Sequence, residues 1–429
     1  MKLWDKGYSI DQIVEKFTIG KDRELDLKLA KYDVQGTIAH VKMLQKIGLL
    51  SKQELKQVLL ALKEILHTIE EGDFLIEPEF EDIHSKIEAL LTQKTGDAGK
   101  KVHTARSRND QVLVDLHLYS KEELGHIRQL VKQLFDTFLG LSEKYKEVLM
   151  PGYTHLQVAM PSSFGLWFGA YAEQLVDDLH MLNAAYDIAD QNPLGSAAGY
   201  GSSFPIDRNF TTEELGFKTL KYNVIAAQMS RGKLEKSVGF ALSSLAGTIS
   251  KFSMDVCLYM SQNFDFIRFP DALTTGSSIM PHKKNPDVFE LVRAKCNKME
   301  NLPVEISAIT GNLPSGYHRD FQIIKESYFA GIENMKQCLE VTRFMLQHIQ
   351  INKDILSDPI YKHIYSVEDV NRLVMEGVSF RDAYQTIGKQ IVEGNYDPDT
   401  QVQHAHAGSL GNLCLAEIRN KFMMAYGQP

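Results

Sequence analysis

The chain has 429 residues, 44% apolar and 24% charged, with a net charge of −8: proportions of a globular protein long enough for two or three domains and a large core. The acidic balance argues against a nucleic-acid or anionic-membrane partner. With no signal-type N-terminus and no apolar run long enough to cross a bilayer, a cytoplasmic setting is expected.

Residues 1 to about 100 read as helices broken into short pieces. Apolar residues recur at helical spacing over 28–47 and 52–69, with Gly48 as a stop and Ser51 as a cap between them. After the turn at Glu71-Gly72-Asp73 and Pro78, FEDIHSKIEALL predicts an amphipathic helix over 80–91. His84 lies near its start, where a lone histidine is expected to be structural. The segment KVHTARSRNDQV, 101–112, gathers Thr104, Arg106, Ser107, Arg108 and Asn109 ahead of a long helix predicted over 111–148. A helix cap would use one of those hydroxyls, not all of them. At ~1.5 Å per residue that helix would run roughly 55 Å.

MPGYTHLQVAMP, 150–161, breaks the helices with two prolines and a glycine and presents Thr154 and His155. Further long helices are predicted over 162–190, over 223–264, after Asn285 and over 318–351. Such lengths suggest a bundle shared between subunits. The Gly-, Ser- and Ala-rich loop 192–208 serves equally as plain turns or as backbone that a ligand can approach closely. Beyond Asp354 the pieces shorten, with 366–376 and 380–392 the clearest helices. No alternating strand pattern and no internal repeat is visible. Cys257, Cys296, Cys338 and Cys414 lie far apart and are expected to be reduced, not disulfide-bonded or metal-bound. His404 and His406 are expected to be a surface pair rather than a metal site.

The stretch 275–290, TGSSIMPHKKNPDVFE, stands out. It opens with a glycine and two hydroxyls and passes two lysines to Asn285-Pro286, which suit an N-cap and a first helical position. Val288, Phe289, Leu291, Val292, Cys296 and Met299 then recur at helical spacing, placing Glu290 in the first turn or so. A pliant hydroxyl-bearing loop, two cations and a helix N-terminus together make a site for anionic oxygen. The string resembles the signature loop of the fumarase/aspartase superfamily, GSSxMPxKxNP, and matches it at Gly276, Ser277, Ser278, Met280, Pro281, Lys283, Asn285 and Pro286.

Three more segments, TARSRNDQV, GYTHLQVAMP and LPSGYHRDFQIIKE (313–326), resemble motifs of the argininosuccinate lyase family in the same order. The likeness runs from EKFTIGKDRELDLKLAKYDVQG near the start to VSFRDAYQTIGK near the end. It implies a carbon–nitrogen lyase that splits argininosuccinate into arginine and fumarate without metal or organic cofactor. The implied fold is all-α, in three helical domains (1–102, 103–353 and 354–429). Its central long-helix bundle would assemble into a homotetramer whose sites are shared between subunits.

By the same resemblance Ser277 is the base, activated by Lys283 and backbone donors once the loop closes over substrate. Lys283 and Asn285, with Ser107, Asn109 and Thr154, meet the charge that develops on the substrate carboxylate. His155, paired with Glu290, supplies or relays a proton to the departing guanidinium nitrogen. Tyr317, Gln322 and Lys325 suit the carboxylate of the arginine half, Asp26 suits its ammonium, and Arg108 completes the substrate-binding set. The sequence departs from the family pattern at three places. Asp22 stands where a serine is usual, Met229-Ser230-Arg231-Gly232 replaces S-x-R-D, and His282 replaces a common Gln. A sister lyase acting on adenylosuccinate, fumarate or aspartate is opposed by the SRNDQV wording. A catalytically silent, crystallin-like structural protein is opposed by retention of Ser277, Lys283, His155 and Glu290.

Overall fold

The computed structural model describes residues 11–402 and 404–427; the N-terminal reading over residues 1–10 lies outside them. The described chain is mainly helical. It divides into two compact units, Met1–Ile127 with Met181–Ser243 and Met299–Asn334, and Arg128–His180 with Ser244–Lys298 and Met335–Pro429. Among the described residues no helix is long and apolar enough to cross a membrane.

In the first unit the predicted helices form with small shifts at their ends. Ala30–Lys46 and Lys52–Glu70 match their periodicity, and Ser51 and Glu54 close a reciprocal capping box at the start of the second. The helix expected at 80–91 runs instead over Ile83–Thr95, because the Asp82 carboxylate caps it by accepting from the Ser85 N–H at 2.8 Å. Val34, Val41, Leu44, Val58, Leu62, Ile65, Ile83, Ile87 and Leu91 from these helices form one core cluster, each no more than 2% exposed. Replacing such a leucine by alanine would cost roughly 2–5 kcal/mol. The helix expected from 111 begins earlier, at Arg108, and runs to Lys144. Ser107 heads it: its N–H donates to Asp110 Oδ1 at 2.8 Å while its Oγ accepts from the Asn109 N–H at 3.3 Å.

The single helix predicted over 223–264 is in fact two, Val224–Gln228 and Lys233–Tyr259. The break falls at Gly232, whose φ of +81° no helix permits. A Cβ there would also lie 2.7 Å from Thr310 Cγ2. The acidic residue expected at this position is supplied one turn later, since Glu235 pairs with Arg231 and accepts from the Gly232 N–H at 2.7 Å. The helix predicted over 318–351 likewise opens as a separate 3-10 turn, Arg319–Gln322, before Ile324–Leu346. The 192–208 loop has a structural explanation: Asp110 Oδ2 accepts from the N–H groups of Gly195 and Ala197 at 3.0 and 2.9 Å.

The second unit is held by aromatic packing. Phe252 makes edge contacts with Phe138 and Tyr171 and stacks on Trp167, and Trp167 Nε1 and the Tyr171 hydroxyl both donate to Asp255. Here the expectation of no strands is corrected. Residues 149–163 form an antiparallel hairpin, β1 (Leu149–Thr154) and β2 (Gln157–Ser163). Its prolines concealed it: Pro151 and Pro161 face each other where, by alternation, the ladder needs no N–H from either. Its two-residue turn is His155-Leu156, with φ of +54° and +57°, where asparagine and glycine are the usual occupants. Two two-residue strand pairs occur elsewhere.

Candidate active site

Six predicted binding residues share one cavity of about 220 Å³ in the first unit: Asp26, Arg108, Asn109, Tyr317, Gln322 and Lys325. Lys325 is its centre. The side chain is buried, and its ammonium sits 2.6 Å from Asp22 and 2.7 Å from Asp26. Burial alone would depress the ammonium, but Asp26 and Asp22 lift it above the ordinary lysine value. Asp22, the departure from the family pattern, is thus a second anchor for Lys325. With two carboxylates on one cation, burial raises the Asp22 carboxyl above its usual range against the pull of Lys325. Lys325 is therefore not the free donor expected; one of its three N–H bonds remains for a ligand.

Arg108 is likewise committed, 3.1 Å from both Glu81 and Asp82. Arg319 donates to Glu81 at 2.9 Å and, through Nε, to Gln322 Oε1 at 3.0 Å. That leaves the Gln322 amide nitrogen as its donor end. Burial raises the Tyr317 phenol despite nearby Arg231 and Arg319, so it stays protonated and able to donate. Sequence reasoning missed Glu81, Asp82, His84, Arg231 and Arg319 as cavity residues. The repeated acid–base wording of FEDIH and YHRD was the available signal.

His84 is not an isolated histidine. Its Nδ1 lies 2.9 Å from Asp33 Oδ1 and 3.8 Å from Asp115 Oδ2. Burial would drive the ring neutral, yet Asp33, Asp115 and Asp82 outweigh it and push the pKa up to about 9. The three side chains hold donor atoms within 4.8 Å of one another, spacing a metal ion could use. Such an ion would first have to displace the ring proton at Nδ1.

Of the remaining predicted residues, Ser107 stays in the first unit at the head of the helix from Arg108, and the other six lie in the second unit and are mostly exposed. Thr154 and His155 occupy the hairpin tip, Glu290 an exposed face of the helix Asp287–Glu300. His155 and Glu290 form no ion pair in the single chain, nor does Lys283 with either. The signature loop is closed at its base by an antiparallel bridge, in which the Asn285 N–H donates to the Thr275 carbonyl at 2.9 Å. Asn285 is therefore not the N-cap expected. Pro286 takes that place, its carbonyl accepting from the Glu290 N–H at 3.0 Å. Ser277 Oγ accepts from the N–H groups of Met280 and Ile279 at 3.1 and 3.3 Å. Lys284, the neighbour, is tied to Asp271, whereas Lys283 has no ion-pair partner among the described residues.

Solved structures share this architecture. EDDS lyase in complex with formate aligns at a TM-score of 0.76 with 19% identity, over 98% of this chain and 90% of that one. A class II fumarase from Schistosoma mansoni aligns at 0.73 with 15% identity, over 89% and 88%. The chain matches the Lyase family over residues 7–300, so fold and loop define a helical lyase. The argininosuccinate lyase of Bacteroides fragilis is 57% identical over 417 residues, 97% of this chain and 93% of that protein. That of Thermotoga neapolitana is 43% identical over 389 residues, 91% and 98%. The chain belongs to the argininosuccinate lyase family.

Proposed function

We propose that the chain cleaves argininosuccinate reversibly into arginine and fumarate, the closing step of arginine biosynthesis, in the cytoplasm. The observation that carries this reading is the Ser277–Lys283 loop in the same chain as a cavity offering both carboxylates and cations, as a zwitterionic amino-acid substrate requires. Ser277 removes the proton from the carbon beside a substrate carboxylate. The two backbone N–H groups already directed at its Oγ would stabilise the alkoxide form. Charge spreads into the carboxylate, where Lys283 and Asn285 meet it with Ser107, Asn109 and Thr154. As the C–N bond breaks, its electron pair leaves with the guanidino nitrogen, which takes a proton from His155. Glu290 holds the imidazolium form.

The chain works as a homotetramer in three domains, 1–102, 103–353 and 354–429, with each site built from several copies. Exposed apolar side chains on the long helices support assembly: Phe240, Met254, Leu291 and Phe344 are 51%, 48%, 63% and 46% exposed. Light scattering should give four chains. In the assay, argininosuccinate produces a rise in fumarate absorbance; a flat trace, with another amino-acid succinate consumed instead, refutes the assignment. Ser277→Ala should abolish turnover while substrate still binds, and near-normal turnover would remove Ser277 as the base.

A further inference from the structure

Every cation lining the first-unit cavity has a carboxylate partner. Lys325 pairs with Asp22 and Asp26, Arg108 with Glu81 and Asp82, Arg319 with Glu81 and Arg231 with Glu235. His84 lines the same cavity and is paired through one ring nitrogen, Nδ1. Its ring is fixed from behind by two helices: Asp33 on Ala30–Lys46 accepts at Nδ1, and Asp115 on Arg108–Lys144 stands just beyond. Asp82, at the cap of its own helix, adds a third carboxylate; Arg108 lines the same cavity 3.1 Å from Asp82, and His103, which lies within the field of His84, is held neutral by burial.

Asp33 and Asp115 are fully enclosed, at 1% and 0% exposure. Asp33 Oδ2 and both oxygens of Asp115 meet no donor among the described residues. Buried carboxylates in that condition take up a proton or need a nearby positive charge: burial and Asp33 push the Asp115 carboxyl well above its usual range against the pull of His84, the ring beside both. The charged imidazole has two N–H donors. Asp33 takes one; the other, on Nε2, has no partner among the described residues.

We propose that His84 is a substrate-binding residue whose Nε2–H donates to a carboxylate oxygen of argininosuccinate, with Asp33 and Asp115 as the positioning residues that keep the ring charged and aimed. The proposal rests on the lyase reading above. A charge-assisted hydrogen bond in a buried cavity is stronger than a neutral one, so its loss is measurable in binding.

Steady-state kinetics of the full-length assembled enzyme between pH 6 and 9 tests this. His84→Gln, which keeps a donor but not the charge, should raise KM for argininosuccinate tenfold or more and change kcat less. Wild-type KM should stay flat to about pH 8. In Asp115→Asn the ring loses a carboxylate and binds its proton less tightly, so KM should climb from a lower pH; a merely structural role would not move that profile. A folded His84→Gln enzyme with KM within twofold of wild type overturns the proposal. So does an Asp115→Asn enzyme with the wild-type profile, which decides the matter alone if His84→Gln fails to fold. A wild-type protein inert toward argininosuccinate refutes the lyase reading instead.

Discussion

Replacing Lys325 by methionine removes one cation from between two buried carboxylates while keeping most of the apolar volume. Asp22 and Asp26, 7% and 3% exposed, are then left facing each other without a counter-charge. Breaking a buried ion pair from one side costs about 3–5 kcal/mol, and that is the loss expected near pH 8. The penalty should shrink on acidification. With Lys325 gone, the carboxyl that burial already lifts binds a proton in the folded state at a pH where the unfolded chain does not. The deficit should therefore recover, by up to ~1.4 kcal/mol per pH unit, as the pH falls toward the ordinary carboxylate range. Urea unfolding of wild type and Lys325→Met, at one protein concentration and several pH values, measures both effects. Adding Asp22→Asn to Lys325→Met should restore at least half of the loss at pH 8, since one buried charge disappears. A single-variant deficit below about 1 kcal/mol, or one that ignores pH, would show that this triad does not bear on stability as argued.

Gly232→Ala should destabilise the fold by about 1–3 kcal/mol, from the left-handed backbone and the approach to Thr310; an unchanged urea midpoint would contradict that conformation. Leu156→Gly should relieve the hairpin turn, since Leu156 is 76% exposed and loses little packing. Hydrogen exchange of the Thr154 and Gln157 amides, which close the turn, should slow by about two- to fivefold. Stability should peak near neutral pH. Above it, His84 contributes about 3 kcal/mol that is fully present below pH 6.5 and lost as the pH rises through about 9. Below it, burial holds His117 and His103 neutral with pKa values lowered to about 4. The unfolded chain takes up those protons first, so stability falls as the pH drops through 6.5 toward 4. A pH profile of unfolding midpoints that is flat from 5 to 9 would refute both arms.

Periodicity located the helices because each buries one stripe, and Ser51 could be read as a cap because its partner Glu54 lies three residues on. Breaks inside a helical pattern were harder. Gly232 looks tolerable in sequence, and only its left-handed φ and the missing room for a Cβ turn it into a boundary. The hairpin at 149–163 escaped because facing prolines remove the usual strand signal, and because His155-Leu156 occupies a turn that rarely takes such residues. At the site, motif wording identified Asp26, Tyr317 and Lys325, which do converge. It could not say that Lys325 is already held by Asp22, since that depends on contacts roughly three hundred positions apart in the chain. His84 was undervalued for the same reason: its two carboxylates come from distant helices.

The bridge between Thr275 and Asn285 confines any swing of the serine-bearing arc to residues 276–284, like a hasp on a single pin. Inside it, the Lys283 N–H already reaches the Met280 carbonyl at 3.0 Å, and Ser277 already gathers two backbone donors. At ~1–2 kcal/mol for each residue ordered, much of the entropy of shaping this arc is spent before substrate arrives. Less of a ligand's own affinity would then be consumed in shaping this turn, and Glu290 can keep its place on the following helix while the arc moves.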